Sequence, residues 1–106
     1  ISGTTTTYRF FSAKLPPLRP TPDVLALYEF INVISEDNGF GHIDKILQGG
    51  SNDAGNIQKA GIPVICSCGT RGEFAHNQKE YCLLESVYDR AKIFATAVAN
   101  FDRFSL

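Results

Sequence analysis

Three runs decide how this chain is read: Gly49-Gly50-Ser51-Asn52-Asp53-Ala54, then Ala60-Gly61-Ile62-Pro63-Val64, then Gly72-Glu73-Phe74-Ala75-His76 with Glu80-Tyr81 close behind. The two glycines free the backbone for a turn, and Ser51-Asn52-Asp53 is turn and cap chemistry. Residues 54–60 then make a short helix, with Gly61 just past its end. The compact apolar run 62–66 suits a strand buried on both faces. Residues 69–77 follow as a loop, and that loop carries His76.

Outward from this stretch, β-branched and aromatic residues over 4–14 favour an extended strand, although neither face of it is cleanly polar. Pro16, Pro17, Pro20 and Pro22 make residues 15–21 a stiff connector between two domains. Thr21-Pro22-Asp23 opens a helix, with a cap, a proline at the first helical position and an acid that complements the dipole. Val24, Leu27, Tyr28, Ile31 and Ile34 or Ser35 keep helical spacing, and Asn38-Gly39 is the stop. Residues 42–47 read as a short strand, and 81–84 as another. A last helix is predicted from Ser86, which with Asp89 gives a cap-box pattern. Its apolar stripe is Val87, Ala91, Phe94, Ala95, Val98 and Phe101.

Alternation of helices and strands implies an α/β fold, with helices packed on a small mixed or parallel sheet. The 106 residues suffice for one domain, 43% of them are apolar, and the net charge is −1. That balance lacks the basic face of a nucleic-acid binder. No apolar run approaches the roughly 20 residues of a membrane helix. The polar, Thr-rich start does not read as a signal peptide, and a chain that opens on Ile1 without methionine is expected to be cut from something longer. Cys66, Cys68 and Cys82 are an odd count, two of them in or beside an apolar strand. The expectation is reduced, buried thiols in a cytoplasmic protein.

His76 is the first candidate for chemistry. In open α/β sheets ligands gather beyond the carboxyl ends of strands, where this loop sits. Gly69 and Gly72 allow close backbone approach, and imidazole is a good zinc ligand near neutral pH. A solvated loop histidine is the plain alternative, and one histidine never makes a zinc site, which needs at least three protein ligands. Arg71 and Lys79 offer cations for a substrate carboxylate or simply face water. Asp53 reads first as a helix cap and second as a polar group near a cleft. Glu80 either orients a neighbour or is solvated. Gly49-Gly50 is followed by no Gly-Lys-Ser/Thr pattern, which excludes a P-loop. His42-Ile43-Asp44 has the His-x-Asp form of a metal motif but follows Asn38-Gly39-Phe40-Gly41, so it reads as the start of a strand.

The order of these runs resembles the C-terminal part of the catalytic domain of the di-zinc aminoacylase/carboxypeptidase family. That family includes succinyl-diaminopimelate desuccinylase, acetylornithine deacetylase and peptidase T-like enzymes. Gly49-Gly50-Ser51-Asn52-Asp53-Ala54 is similar to its Gly-Gly-(Ser/Thr)-Asp-Ala turn, with one extra residue. Ala60-Gly61-Ile62-Pro63 is similar to its Ala-Gly-Ile-Pro, and Ala75-His76-x-x-x-Glu80-Tyr81 to its last metal motif. The resemblance implies that residues 1–14 are the last strand of a lid or dimerisation domain and 15–106 the C-terminal part of the catalytic domain. It implies a zinc ligand at His76, substrate contacts at Arg71 and Gly72, and cleft-supporting roles for Asp53 and Glu80. The other ligands and the general-base glutamate belong to the family's N-terminal half, so no catalytic residue is expected in this chain.

The implied parent holds two zinc ions, hydrolyses a peptide or N-acyl amino-acid amide, and dimerises through its lid; the isolated piece is expected to be inactive. One departure stands out: the family often has Gly-Gly-Gly-Ala-His where this chain has Gly72-Glu73-Phe74-Ala75-His76. Two other readings remain open on the residues alone. One is a small non-enzymatic α/β interaction module, with or without a structural zinc held by Cys66, Cys68, Cys82 and His76. The other is a thiol hydrolase built on a Cys–His pair.

Overall fold

Two 16-residue helices, α1 (Pro22–Asp37) and α3 (Leu84–Ala99), form the packed layer of the molecule. The computed structural model describes residues 2–9, 15–49 and 52–105. Between the long helices lie a short α2 (Ala54–Lys59) and a hairpin of β1 (Gly72–Glu73) and β2 (Tyr81–Cys82). A 3-10 turn, Phe101–Arg103, follows α3. The class is α/β, as read from the sequence. The described sheet, however, is one antiparallel pair, with Gly72 opposite Cys82 and Glu73 opposite Tyr81.

α1 begins and ends where its sequence says. Pro22 sits in the first turn, and Asp23 adds an acid there. The Thr21 hydroxyl bonds the Asp23 carboxylate and holds its pKa below the ordinary value, rather than capping a backbone N–H. At the far end Gly39 adopts φ +73°. Phe40 N–H then reaches Ser35 O at 2.8 Å and Gly39 N–H reaches Glu36 O at 3.0 Å. This pair of bonds satisfies the last carbonyls of the helix, and the left-handed turn it needs is cheap only for glycine.

The expected face of α1 is the buried one. Val24, Ile31 and Ser35 are buried, and Ile34 is only 1% exposed. Ile31 and Ile34 meet Ile93 and Ala97 of α3, with Leu27, Phe30, Ile43, Ile65 and Phe94 around them. Burying a side chain such as Ile34 contributes about 1.5–3 kcal/mol. Phe30, Phe101 and Phe104 close one side of the pair, the last two with ring centroids 5.4 Å apart.

α3 departs from expectation in two ways. It starts at Leu84, so Ser86 lies inside the first turn, fully buried, and is no cap. Its packed face is Ser86, Ile93 and Ala97, with Phe94 half-buried. Of the expected stripe, Val87, Ala91, Ala95, Val98 and Phe101 are exposed, Val98 at 75%. α3 carries apolar residues on two opposite arcs, and periodicity alone does not say which arc meets a neighbour.

Residues 42–47 form no strand. They run along α1, and α1 side chains take the backbone bonds a sheet would have taken. Asn32 Oδ1 accepts from Ile43 N at 2.8 Å, Tyr28 Oη donates to Ile43 O at 2.7 Å, and Ser35 Oγ donates to Gly41 O at 2.6 Å. Lys45 Nζ sits 4.8 Å from the centre of the Tyr28 ring. Residues 62–66 likewise form no strand, and Ile62 and Cys66 are exposed. A strand exists only with a paired neighbour, and no described segment pairs with either run. The described part of the expected first strand, residues 4–9, is exposed and without regular structure; residues 10–14 lie outside the described residues, as do Gly50 and Ser51 of the glycine turn. Thr and aromatic propensity there favours extension but pairs with nothing by itself.

α2 is as expected, with Gly61 at φ +83° just past it. It is pinned to the proline connector. Gln58 accepts from Arg19 N at 2.8 Å and donates to Arg19 O at 2.7 Å. A Cβ on Gly55 would fall 1.7 Å from Pro16 O, so glycine is required for that approach. The radius of gyration, 18.5 Å, exceeds the about 13 Å of a compact domain this long. Among the described residues the two long helices share one small apolar cluster, and residues 2–9 and the hairpin lie outside it. No helix among the described residues is long and apolar enough to cross a membrane.

Candidate functional site

The hairpin 71–82 gathers four of the five residues singled out for function: Arg71, Gly72, His76 and Glu80. Its base rests on the start of α3. Arg71 N donates to Ser86 Oγ at 2.9 Å, and Ser86 Oγ donates to Leu83 O at 2.5 Å. Leu83 N donates to Arg71 O at 2.8 Å, which closes the hairpin. The Arg71 guanidinium reaches Asp89 of α3 at 3.7 Å, with both side chains exposed. Ser86 thus orients the strand that carries the site. Sequence reading assigned it to a cap, because a bond across 15 residues leaves no local signature.

Gly72 is a requirement of the hairpin. A Cβ there would fall 2.0 Å from Tyr81 O, on the facing strand. Above it the loop is tight. Asn77 N bonds Phe74 O at 2.9 Å, Glu80 N bonds Asn77 O at 3.0 Å, and Asn77 Oδ1 takes Lys79 N at 2.9 Å.

Two non-glycine residues of this loop adopt left-handed backbone: Phe74 at φ +61° and His76 at φ +65°. Such a conformation costs an L-residue about 1–2 kcal/mol, and strain of this kind concentrates at functional sites. Phe74 stands where the resembling motif has its third glycine. Its ring lies 6.2 Å from that of Tyr81, which offsets part of the strain.

His76 sits exposed at the tip. Its backbone N–H donates to Glu80 Oε2 at 3.3 Å, so the Glu80 carboxylate is committed to shaping the loop. Neither imidazole nitrogen is hydrogen-bonded to another described residue, which leaves both edges of the ring open to solvent or a ligand.

Asp53 is not joined to the hairpin by any described contact. It precedes α2 without making a cap bond. Asn52 does that work instead, its Oδ1 accepting from Ala54 N at 2.9 Å, and its amide donates to Cys66 Sγ. The thiols are free; Cys66 and Cys82 are exposed and Cys68 is half-buried. Buried core thiols, as expected, are therefore not what forms, because run 62–66 is not enclosed by a sheet. Burial, then the neighbouring Cys66, pushes the Cys68 thiol above its ordinary pKa, with Arg90 acting the other way.

His42 of the His-x-Asp decoy is taken up by α1: its Nδ1 lies 2.7 Å from Glu36 Oε1. That bond raises the His42 pKa and lowers that of Glu36. The role is structural, since it ties the strap 41–45 to the end of α1.

Zinc needs three or more protein ligands in one place. Among the described residues no group of three His, Cys, Asp or Glu side chains is arranged to hold a metal ion. The Cys66, Cys68, Cys82 and His76 set therefore forms no such site among them. The hairpin supplies one accessible imidazole, and these residues alone do not close a zinc site.

Residues 5–100 match the model of the peptidase family M20/M25/M40. The chain belongs to that family. No curated protein and no solved structure matches it. Membership makes the chain part of a metallopeptidase-type hydrolase at family level, in a family that is generally metal-dependent. The matched span takes in both long helices, α2 and the whole His76 hairpin.

Proposed function

We propose that this M20-family chain is the C-terminal part of a zinc-dependent amidohydrolase or exopeptidase, and that it presents His76 as one ligand to a two-zinc centre completed from outside it. The substrate class is a peptide or an N-acyl amino acid, cleaved at its amide bond. The observation that carries this reading is His76 itself: an exposed imidazole on a strained, hydrogen-bonded hairpin tip, within the family match. An imidazole held this way is positioned by backbone rather than by its own hydrogen bonds, so both nitrogens stay available.

In this proposal Arg71 receives a substrate carboxylate, its charge kept near the hairpin base by Asp89. Gly72, whose missing Cβ lets the two strands close, offers its backbone to the substrate; Glu80 keeps the tip in shape, and Asp53 borders the cleft from the turn before α2. Residues 1–14 belong to a lid through which the parent dimerises, and the compartment is the cytoplasm. By itself the chain lacks a general base and is inactive.

The test is reconstitution. Mixed with the N-terminal part of the same enzyme, the chain is expected to restore zinc-dependent hydrolysis of a dipeptide or N-acetyl amino acid. His76→Ala is expected to abolish it while the helical circular dichroism stays unchanged. A folded, zinc-loaded mixture that hydrolyses neither substrate overturns the proposal.

A further inference from the structure

The Cys66-Ser67-Cys68 segment has no part in the proposed hydrolysis, yet its arrangement is specific. Cys66 is exposed, and its sulfur meets the Asn52 amide on one side and lies 3.7 Å from Ser67 Oγ. Ser67 between them is left-handed, at φ +62°. An extended three-residue segment holds its outer Cα atoms about 7 Å apart, at or beyond the limit for a disulfide. Folding the middle residue shortens that span. The Cys68 side chain is turned back over its partner, with Sγ 3.8 Å from Cys66 O. It is half-buried beside α3, near Arg90. Cys82, the third thiol, is exposed but lies on β2, where it faces Gly72 across the hairpin.

We infer that Cys66 and Cys68 form a dithiol site that reacts with low-molecular-weight disulfides such as oxidised glutathione and closes to an intramolecular disulfide. Cys66 is the attacking thiol because it is exposed; Cys68, half-buried and with its sulfur 3.8 Å from the Cys66 carbonyl oxygen, is the resolving thiol. In the first step Cys66 loses its proton and attacks one sulfur of the glutathione disulfide. A mixed disulfide forms and one glutathione leaves as thiolate. In the second step Cys68 loses its proton and attacks the Cys66 sulfur, which expels the second glutathione. Two protein thiols have then given up two electrons and two protons, and one disulfide has become two thiols. Asn52 is a positioning residue, and through it the reaction is coupled to the start of α2, whose first amide Asn52 also holds.

The experiment is oxidation of the purified chain with oxidised glutathione, acid quenching, alkylation of remaining thiols and peptide mass spectrometry. The expected product is a Cys66–Cys68 disulfide, with Cys82 carrying at most a glutathione adduct because no second thiol lies beside it in sequence. Cys68→Ser should stop at a single glutathione adduct on residue 66, and Cys66→Ser should give no intramolecular disulfide. Asn52→Ala should slow closure severalfold without changing helical circular dichroism. Because neighbouring thiols also meet in an unfolded chain, the same reaction is run in denaturing urea, where closure should be slower because the folded arrangement of the two thiols is lost. Closure equally fast in urea, a disulfide that includes Cys82, disulfide-linked dimers as the main product, or arrest of the wild type at the mixed disulfide would each overturn the inference.

Discussion

The α1–α3 pair and the His76 hairpin are built on opposite principles. The helices are held by apolar contact: Ile31, Ile34, Ile93 and Ala97 are buried together, and no single hydrogen bond decides their packing. The hairpin buries none of its own residues and is held by hydrogen bonds, one steric exclusion at Gly72 and one anchor, Ser86, borrowed from α3. The helices therefore supply stability, and the hairpin spends some of it to keep Phe74 and His76 in left-handed backbone. Ser86 is where the two regimes meet.

The comparison breaks most visibly at Ile34. Ile34→Ala is expected to cost about 2–4 kcal/mol, read as a lower urea midpoint of the helical signal. Next in size is Gly72→Val. The added carbons meet Tyr81 O, and strain of this kind costs about 1–3 kcal/mol. Hydrogen exchange at Leu83 and Arg71 should speed up while protection of α1 stays unchanged; loss of α1 protection would show that the regions are not separable. Ser86→Ala tests the junction: it leaves Arg71 N without its partner, for about 1 kcal/mol. Arg71 exchange should rise, and rescue by Ser86→Thr would point to the hydroxyl.

The smallest effect is electrostatic. His42 is raised above 6.5 by Glu36, so its contribution to stability is complete below about pH 6.5 and lost as pH rises through the raised value. Glu36 is lowered below 4.5, so its contribution is present above about pH 4.5 and lost as pH falls through the lowered value. Together they contribute most between these limits. The melting temperature should fall slightly from about pH 6 to about pH 8.5, and His42→Gln should flatten that dependence.

Much of the helical layer was legible in the residues. Thr21-Pro22-Asp23, the 3.6-residue spacing of Val24, Ile31 and Ile34, and Asn38-Gly39 specify α1 without outside help. α3 was legible as a helix but not in orientation, because Val87, Ala91, Ala95 and Val98 make as good an apolar arc as Ile93 and Ala97. The runs 42–47 and 62–66 show the limit of strand propensity. Each has the residues of a strand; 42–47 bonds to side chains of α1, and 62–66 pairs with no described segment. His76, Arg71, Gly72 and Glu80, singled out by residue type and by the motif resemblance, lie together on one hairpin. Asp53 was grouped with them by motif, and no described contact joins it to them. Ser86 and Asn52 were passed over as turn chemistry, since their partners, Arg71 and Cys66, are distant in sequence.

What the chain's own residues determined is local: where α1 and α2 start and stop, which loop carries the imidazole, and the family to which the order of motifs belongs. These depend on dihedral preferences and spacing within a few residues, and they survive without knowledge of neighbours. The tertiary structure decided which arc of α3 is buried, what replaces sheet pairing along α1, and how Ser86 and Gly72 hold the hairpin. Those outcomes depend on which distant groups come within reach, and a hydrogen bond or an apolar contact is worth something only where a partner is present to complete it.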